Sequence, residues 1–275
     1  MPPVERRDRC LVMGVLNITP DSFSDGRCFD NPVRALDHAA KMIAAGVDIL
    51  DVGGESTRPG ADPVPEAEEL ERVLPVIEKL RAEFDTPISI DTSKANVMRA
   101  AVAAGATMIN DVRALRGEGS LETAVELEVP VCLMHMRGEP QTMQREPVYA
   151  DVVVEVTAFL RDRAQACLEA GLPSSDIIVD PGFGFGKTLA HNLQLLRNLD
   201  TIAALDFPVL VGISRKSMIG QILDRPVDDR LYGGLALAIV ARQKGAAIVR
   251  THDVAPTVDA LRVLDATIED GISDG

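Results

Sequence analysis

The chain has 275 residues, 46% of them hydrophobic, enough for one large domain with a substantial core or two small ones. Its 28 basic and 42 acidic residues give a net charge of −14, which argues against nucleic acid or an anionic membrane as the main partner. Cys10, Cys28, Cys132 and Cys167 form no C-x-x-C pair, no apolar run reaches the roughly 18 residues of a membrane span, and the charged start MPPVERRDR is followed by no signal-type apolar segment, so a reducing cytoplasmic compartment is expected.

Leu11 to Leu16 is an apolar run that reads as a strand ending at Asn17. The polar loop TPDSFSDGRCFD, residues 19–30, follows; it is long for a βα connection and reads as a lid or binding loop. Val33, Leu36, Ala40 and Ile43 at near-helical spacing predict a helix over 33–45, stopped by Gly46. Val47 to Val52 is a second strand, followed by GGESTRPG at 53–60 and a long helix over about 64–84. Pro87 to Ile90 is a third, ending Asp91-Thr92-Ser93, before a helix over about 94–104 that Gly105 stops. Thr107 to Ile109 begins a fourth strand, ending Asn110-Asp111, with a helix near 120–128. Pro130 to Met134 is a fifth, ending His135-Met136-Arg137-Gly138; a loop over 138–147 leads to a helix at about 148–170. Ile177 to Val179 is the sixth strand, with a helix over 188–205. Pro208 to Ile213 is the seventh, ending Ser214-Arg215-Lys216-Ser217, and 217–244 reads as one short and one longer helix broken around Pro226. Ala246 to Val249 is the eighth, ending Arg250-Thr251-His252-Asp253, before a last helix over about 254–268. Residues 1–10 read as an N-terminal extension and 269–275 as a disordered tail.

Eight strand–helix units with no break in composition fit a single-domain (β/α)₈ TIM barrel over residues 11–268; near-continuous apolar strands are what parallel strands buried on both faces require. A doubly wound open sheet is the alternative fold. In a barrel the strand C-termini carry the site, and here they bear Asn17, Asp51, Asp91, Asn110, Asp111, His135, Asp180, Lys216, Arg250 and His252. Ser93 and Ser217 each stand just before a helix and read as N-caps, while Asp51 fits a structural role as well as a functional one. Cys132 and Cys167, in apolar or helical runs, read as core residues, and His135 and His191 as structural.

The sixth strand runs into DPGFGFGK at 180–187, where alternating glycines let bare backbone approach a flat or phosphorylated ligand. The spacing is one residue short of a P-loop, and the third glycine comes too early for a dinucleotide fingerprint. Asp91, Asn110 and Asp180 offer carboxylate and amide edges suited to a heterocycle with amino and ring N–H groups. Lys216, Arg250 and His252 supply positive charge and donors for an anion, and Asn17 with nearby carboxylates suits a Mg²⁺ that bridges phosphates. The residues alone thus point to a barrel enzyme acting on a phosphorylated heterocycle.

The chain also resembles the dihydropteroate synthase family of pterin-binding enzymes from Val12 to about Leu264. The resemblance rests on MGVLNITPDSFSDG at 13–26, DVGGESTRPG at 51–60, SIDTS at 89–93, IND at 109–111, DPGFGFGK at 180–187, GISRKS at 212–217 and RTHDV at 250–254. It implies a homodimeric barrel that condenses 6-hydroxymethyl-7,8-dihydropterin diphosphate with 4-aminobenzoate to give 7,8-dihydropteroate and pyrophosphate, with Mg²⁺ required. It assigns Asp91, Asn110, Asp180 and Lys216 to the pterin and Asn17 to Mg²⁺ and the diphosphate. Arg250 and His252, with Thr57 and Arg58, engage the diphosphate or order the loops around it. Phe23, Thr57, Pro59, Phe185, Lys216 and Ser217 bound the 4-aminobenzoate slot, where sulfonamides act in the family. Asp91, Lys216, Arg250 and His252 are the expected catalytic group, and Asp25 belongs to the first closing loop.

The chain departs from the family at Arg27, which stands where a second glycine usually follows Ser24-Asp25-Gly26. Gly54, Thr57, Arg58 and Pro59 are intact, so ordinary sulfonamide sensitivity is expected. Two other readings carry different tests. A pterin-dependent methyltransferase would transfer a methyl group from methyltetrahydrofolate, and a catalytically silent pterin-binding paralogue would bind the diphosphate without turnover.

Overall fold

The structure, a computed structural model, describes residues 9–18, 31–56, 60–138, 143 and 147–268. Eight parallel strands close into a barrel in the order β1-β2-β3-β4-β5-β6-β7-β8. They are β1 Leu11–Asn17, β2 Ile49–Gly53, β3 Ile88–Asp91, β4 Met108–Asp111, β5 Val131–Met134, β6 Ile177–Asp180, β7 Val209–Gly212 and β8 Ala246–Thr251. Helices α1 Asn31–Ala44, α2 Glu66–Glu83, α3 Ala95–Ala103, α4 Ser120–Leu127, α5 Val152–Ala170, α6 Leu189–Arg197, α7 Leu199–Ala203, α8 Ser217–Leu223, α9 Leu231–Gln243 and α10 Val254–Ile268 connect and surround them. The expected tail lies outside the described residues.

Strand residues point alternately inward and outward, and this period of two sorts the chain's apolar residues into two cores. Leu50, Val52, Ile88, Ile90, Ile109, Leu133, Val179, Val211 and Val249 join the large outer core between barrel and helices. Leu11, Met13, Ile49, Met108, Cys132, Ile178, Leu210 and Ile248 form a separate cluster that fills the barrel floor. Two residues further along several of the same strands the inward side chains turn polar: Asp51 follows Ile49, Asn110 follows Met108, Asp180 follows Ile178 and Arg250 follows Ile248. Burying about 25 cal/mol per Å² of apolar surface in two such cores holds a rigid frame. That frame carries a charged layer at one end.

Three expectations shift on the structure. The helix expected over 188–205 is two, because Asn198 adopts a non-helical backbone and its amide donates back to the Gln194 carbonyl at 2.8 Å. The helix expected from 148 starts at Val152, where the Asp151 side chain caps it by accepting from the backbone N–H of Val153 and Val154. Strand β8 continues through Thr251, since Met13 pairs with Arg250 and Gly14 with Thr251, so Arg250 sits on a paired strand rather than in a loop.

Candidate active site

An open cavity of about 510 Å³ lies over the C-terminal ends of the strands. Asn17, Asp91, Asn110, Asp180, Lys216 and Arg250 line it, and His252, Phe185 and Ser217 border it as well. The structure thus brings together all the residues assigned to a ligand or to catalysis that fall within the described part of the chain, whereas Asp51, Asp111 and His135 of the wider strand-end set stand outside the cavity lining. Phe23, Asp25, Arg27, Cys28, Thr57, Arg58 and Pro59 lie outside the described residues.

The floor of the cavity is an ion network. Arg250 donates from Nε to Asp51 Oδ2 at 2.6 Å and from a terminal nitrogen to Asp91 Oδ2 at 2.9 Å. Asn110 Nδ2 donates to the same Asp51 oxygen at 3.2 Å. Asp51, which the sequence left open between structure and function, is completely buried and orients both an arginine and an amide of the site. Burial works against the Arg250 charge, but Asp51, Asp91 and Asp180 outweigh it and raise its pKa. Burial also drives the Asp91 carboxyl well above its ordinary range, with Arg250 opposing and Asp51 reinforcing the shift.

Asp180 is fixed by its own loop: Oδ1 accepts from the Gly182 N–H at 2.7 Å. Burial raises it to about 6 against that hydrogen bond and the Lys216 charge. The Lys216 ammonium stands over the Phe185 ring, 4.1 Å from its centroid. Burial and Arg250 lower it to about 8, while Asp180 and Asp91 support its charge. His252 differs from its expected role as a source of charge. Burial, then Arg250 and Arg215, push its imidazole down to about 3, so at neutral pH it enters the site as a neutral donor and acceptor. Its Nδ1 lies 3.2 Å from Ser214 Oγ.

Asp111, grouped by sequence with the strand-end residues, faces outward from β4. It accepts from the Arg113 N–H at 2.7 Å, the Leu115 N–H at 2.8 Å and the Ser93 hydroxyl. Ser93 is therefore occupied with Asp111 instead of capping α3, whose N-cap position is Lys94. Ser217 is the first residue of α8 and makes no cap either.

A Mg²⁺ ion would find few ligands in the chain itself. Among the described residues no three His, Cys, Asp or Glu side chains are grouped to hold a metal. Gly53 nevertheless sits between two oxygen-bearing side chains: a Cβ placed on it would lie 3.4 Å from the Asp91 Cβ and 3.7 Å from Asn17 Oδ1. That donor set fits an ion that takes most of its ligands from phosphate and water, as Mg²⁺ does.

A profile of the family described as pterin binding enzyme matches residues 13–252. The dihydropteroate synthase of Haemophilus influenzae is 55% identical over 256 residues, covering 93% of each chain. This chain belongs to the dihydropteroate synthase family. Dihydropteroate synthases have also been solved with ligands. The Xanthomonas albilineans enzyme with 4-aminobenzoic acid superposes with a TM-score of 0.91 at 50% identity, covering 96% of this chain and 95% of that one. The Yersinia pestis enzyme in a sulfonamide drug complex gives a TM-score of 0.90 at 50% identity, covering 94% of both. Relative to dihydropteroate synthase motifs, sequence reasoning passed over Lys187. It is buried at 3% exposure beneath the glycine-rich loop, and its place at the end of DPGFGFGK was the available signal.

Proposed function

We propose that this protein condenses 6-hydroxymethyl-7,8-dihydropterin diphosphate with 4-aminobenzoate, giving 7,8-dihydropteroate and pyrophosphate. The observation that carries the reading is one cavity in which Asp91, Asn110, Asp180, Lys216 and Arg250 converge from five strands or strand ends. Asp91 and Asp180 accept from the ring and amino N–H groups of the pterin, and Asn110 supplies an amide edge beside them. Lys216 donates to the ring from the opposite wall, with Phe185 and Ser217 bounding the adjoining 4-aminobenzoate slot. Thr57 and Pro59 from the second loop, and Phe23 from the first, complete that slot.

Diphosphate departure leaves positive charge on the exocyclic carbon of the pterin. Buried carboxylates at Asp91 and Asp180 stabilise that charge, which is worth most in a site with little water. Arg250 and His252, with Thr57 and Arg58, hold the departing anion. Arg250 is kept charged by two carboxylates and does not depend on the ligand for its ionisation. Asn17 is the residue that would hold Mg²⁺, whose chemistry is to neutralise the diphosphate charge. Closure of the first loop, with Asp25, and of the second excludes water that would trap the carbocation.

The protein works in the cytoplasm as a homodimer. No helix among the described residues is long and apolar enough to cross a membrane. A self-association face is available on α9 and α10. Helix α9 reads LYGGLALAIVARQ, yet only Ala238 and Ala241 of it are buried, and Tyr232 and Val263 are 81% and 67% exposed.

The test is pyrophosphate release by the purified protein with pterin diphosphate and Mg²⁺, with and without 4-aminobenzoate. Dihydropteroate formed only when 4-aminobenzoate is present supports the reading. Tight pterin binding with no product under any condition removes it.

A further inference from the structure

Lys187 lies outside the cavity, yet its ammonium makes more polar contacts than most side chains among the described residues. Nζ lies 2.9 Å from the carbonyl oxygens of Gly182 and Phe185, 3.3 Å from that of His135 and 2.9 Å from His135 Nδ1. Two of these acceptors belong to the β6–α6 loop, and the other two to the residue just past β5. The His135 imidazole is pushed down to about 2 by burial and by Lys187 itself, and because an ammonium has only donors to offer, Nδ1 of the neutral ring takes the acceptor role towards it.

The glycines of this loop are there for the same junction. Gly182 has φ +66°, and a Cβ on it would meet the His135 carbonyl oxygen at 2.0 Å. Gly186 has φ +63°, and its Cβ would meet the Arg137 carbonyl oxygen at 2.3 Å. The loop thus presses bare backbone onto the end of β5, and Lys187 satisfies the carbonyls that this contact takes away from water. Two more side chains hold the loop from the other side. Asn192 Oδ1 accepts from the Gly184 N–H at 2.8 Å, and the Tyr149 hydroxyl donates to the Gly186 carbonyl at 2.8 Å.

What the loop carries is the site. Gly182 N–H orients Asp180, and Phe185 supports the Lys216 ammonium. Lys187 grips the Phe185 carbonyl directly, whereas Asp180 is also anchored on its own paired strand, where His135 N–H donates to the Asp180 carbonyl at 2.9 Å. We propose that Lys187 is a positioning residue that, through the carbonyls of Gly182 and Phe185, sets the wall of the 4-aminobenzoate slot without touching either substrate. The assignment of that slot rests on the function proposed above. The clamp itself does not.

The experiment compares Lys187→Met, which keeps the stem and removes the donors, with Lys187→Gln, which restores two of them. In the Met variant, backbone amides at 182–186 should exchange about tenfold faster with deuterium while those of α2 stay unchanged. The KM for 4-aminobenzoate should rise about tenfold and kcat should change by less than about threefold, with Lys187→Gln falling between Met and wild type. A lowered melting temperature with KM within about twofold of wild type would make Lys187 a structural residue only and overturn the proposal. A fall in kcat with KM unchanged would also overturn it. If Lys187→Met does not fold, Lys187→Gln decides by the same two readings, with a KM rise of about threefold expected and a value within about twofold overturning. If wild-type protein forms no dihydropteroate, the functional reading fails separately, and loop exchange alone decides whether Lys187 holds the loop.

Discussion

Arg250 and Asp51 stand 199 positions apart in the chain and meet at 2.6 Å beneath the cavity floor. The pair joins β8 to β2 across the barrel interior, and the free arm of the guanidinium reaches Asp91 on β3. Asp51 does not line the cavity, but it fixes the direction of the arginine that does.

Replacing Asp51 with Ala should therefore cost more than its distance from the ligand suggests. Breaking a buried pair leaves Arg250 with Asp91 as its only described carboxylate partner and Asn110 with no acceptor. A loss of about 3 kcal/mol is expected in urea denaturation. Asp51→Asn keeps the shape and an acceptor oxygen, so it should fold better and still lower kcat/KM for pterin diphosphate. Stability within about 0.5 kcal/mol of wild type for the Ala variant would mean that Asp51 is not anchoring the arginine.

The pH profile of kcat/KM for pterin diphosphate should be bell-shaped, reporting the free enzyme. On the acid side, Asp91 and Asp180, raised by burial to about 7 and about 6, take up protons and lose their acceptor character. On the alkaline side, Lys216, lowered to about 8 by burial and Arg250, loses its charge. Activity should fall as the two carboxylates protonate and again as the lysine loses its proton. Lys216→Arg, which stays charged throughout, should remove the alkaline limb whatever it does to the maximum rate. An alkaline limb unchanged in that variant assigns it to another group.

Asp180→Asn should stabilise the ligand-free protein while abolishing pterin binding. Asp180 has its pKa raised in the folded state from 3.8 to about 6, so the folded state binds more protons between these values. Its ionisation therefore costs stability as pH rises through that window, fully so above it, by about 3 kcal/mol. Asparagine carries no such cost. The variant should melt higher than wild type at pH 8, and the gain should vanish below about pH 4. Equal melting temperatures at pH 8 would show that the net surroundings of Asp180 do not oppose its charge.

The barrel was legible because parallel strands buried on both faces leave apolar runs, and each run here ends in a polar residue. What the runs could not show was facing. Asn110 and Asp111 are adjacent and both polar, yet the strand period sends Asn110 into the cavity and Asp111 out to cap the backbone at Arg113 and Leu115. Nor could sequence show that the His252 ring is buried within the field of Arg250 and Arg215, and burial first, then those two cations, strips it of the charge its residue type suggests. Lys187 was hidden for a related reason. A lysine at a loop end reads as solvated, and only the fold shows the carbonyls gathered around it.

His252 should gain a proton when an anion arrives. Its imidazole is held at about 3 by burial, Arg250 and Arg215, and a bound anion offsets the two cations. Sulfate, which does not titrate between pH 4 and 8, is the probe. Calorimetry in two buffers of different ionisation enthalpy should show proton uptake on sulfate binding near pH 5. His252→Gln should reduce that uptake. Identical uptake in the variant would place the titrating group elsewhere, with Asp91 and Asp180 the first alternatives.

Phe185 connects the two classes of ligand bound by the relatives. Its ring lies 4.1 Å from the Lys216 ammonium, and only 9% of the residue is exposed. Phe185→Leu keeps the apolar volume and removes the ring face, which forfeits about 1 kcal/mol of cation–π attraction. The KM for 4-aminobenzoate should rise about fivefold, and the inhibition constant of a sulfonamide should rise by a similar factor. The ratio of the two should stay close to its wild-type value if, as proposed, one slot bounded by this ring and this ammonium takes both ligands. A sulfonamide constant that moves alone, with the 4-aminobenzoate KM unchanged, would show that the two do not share this wall.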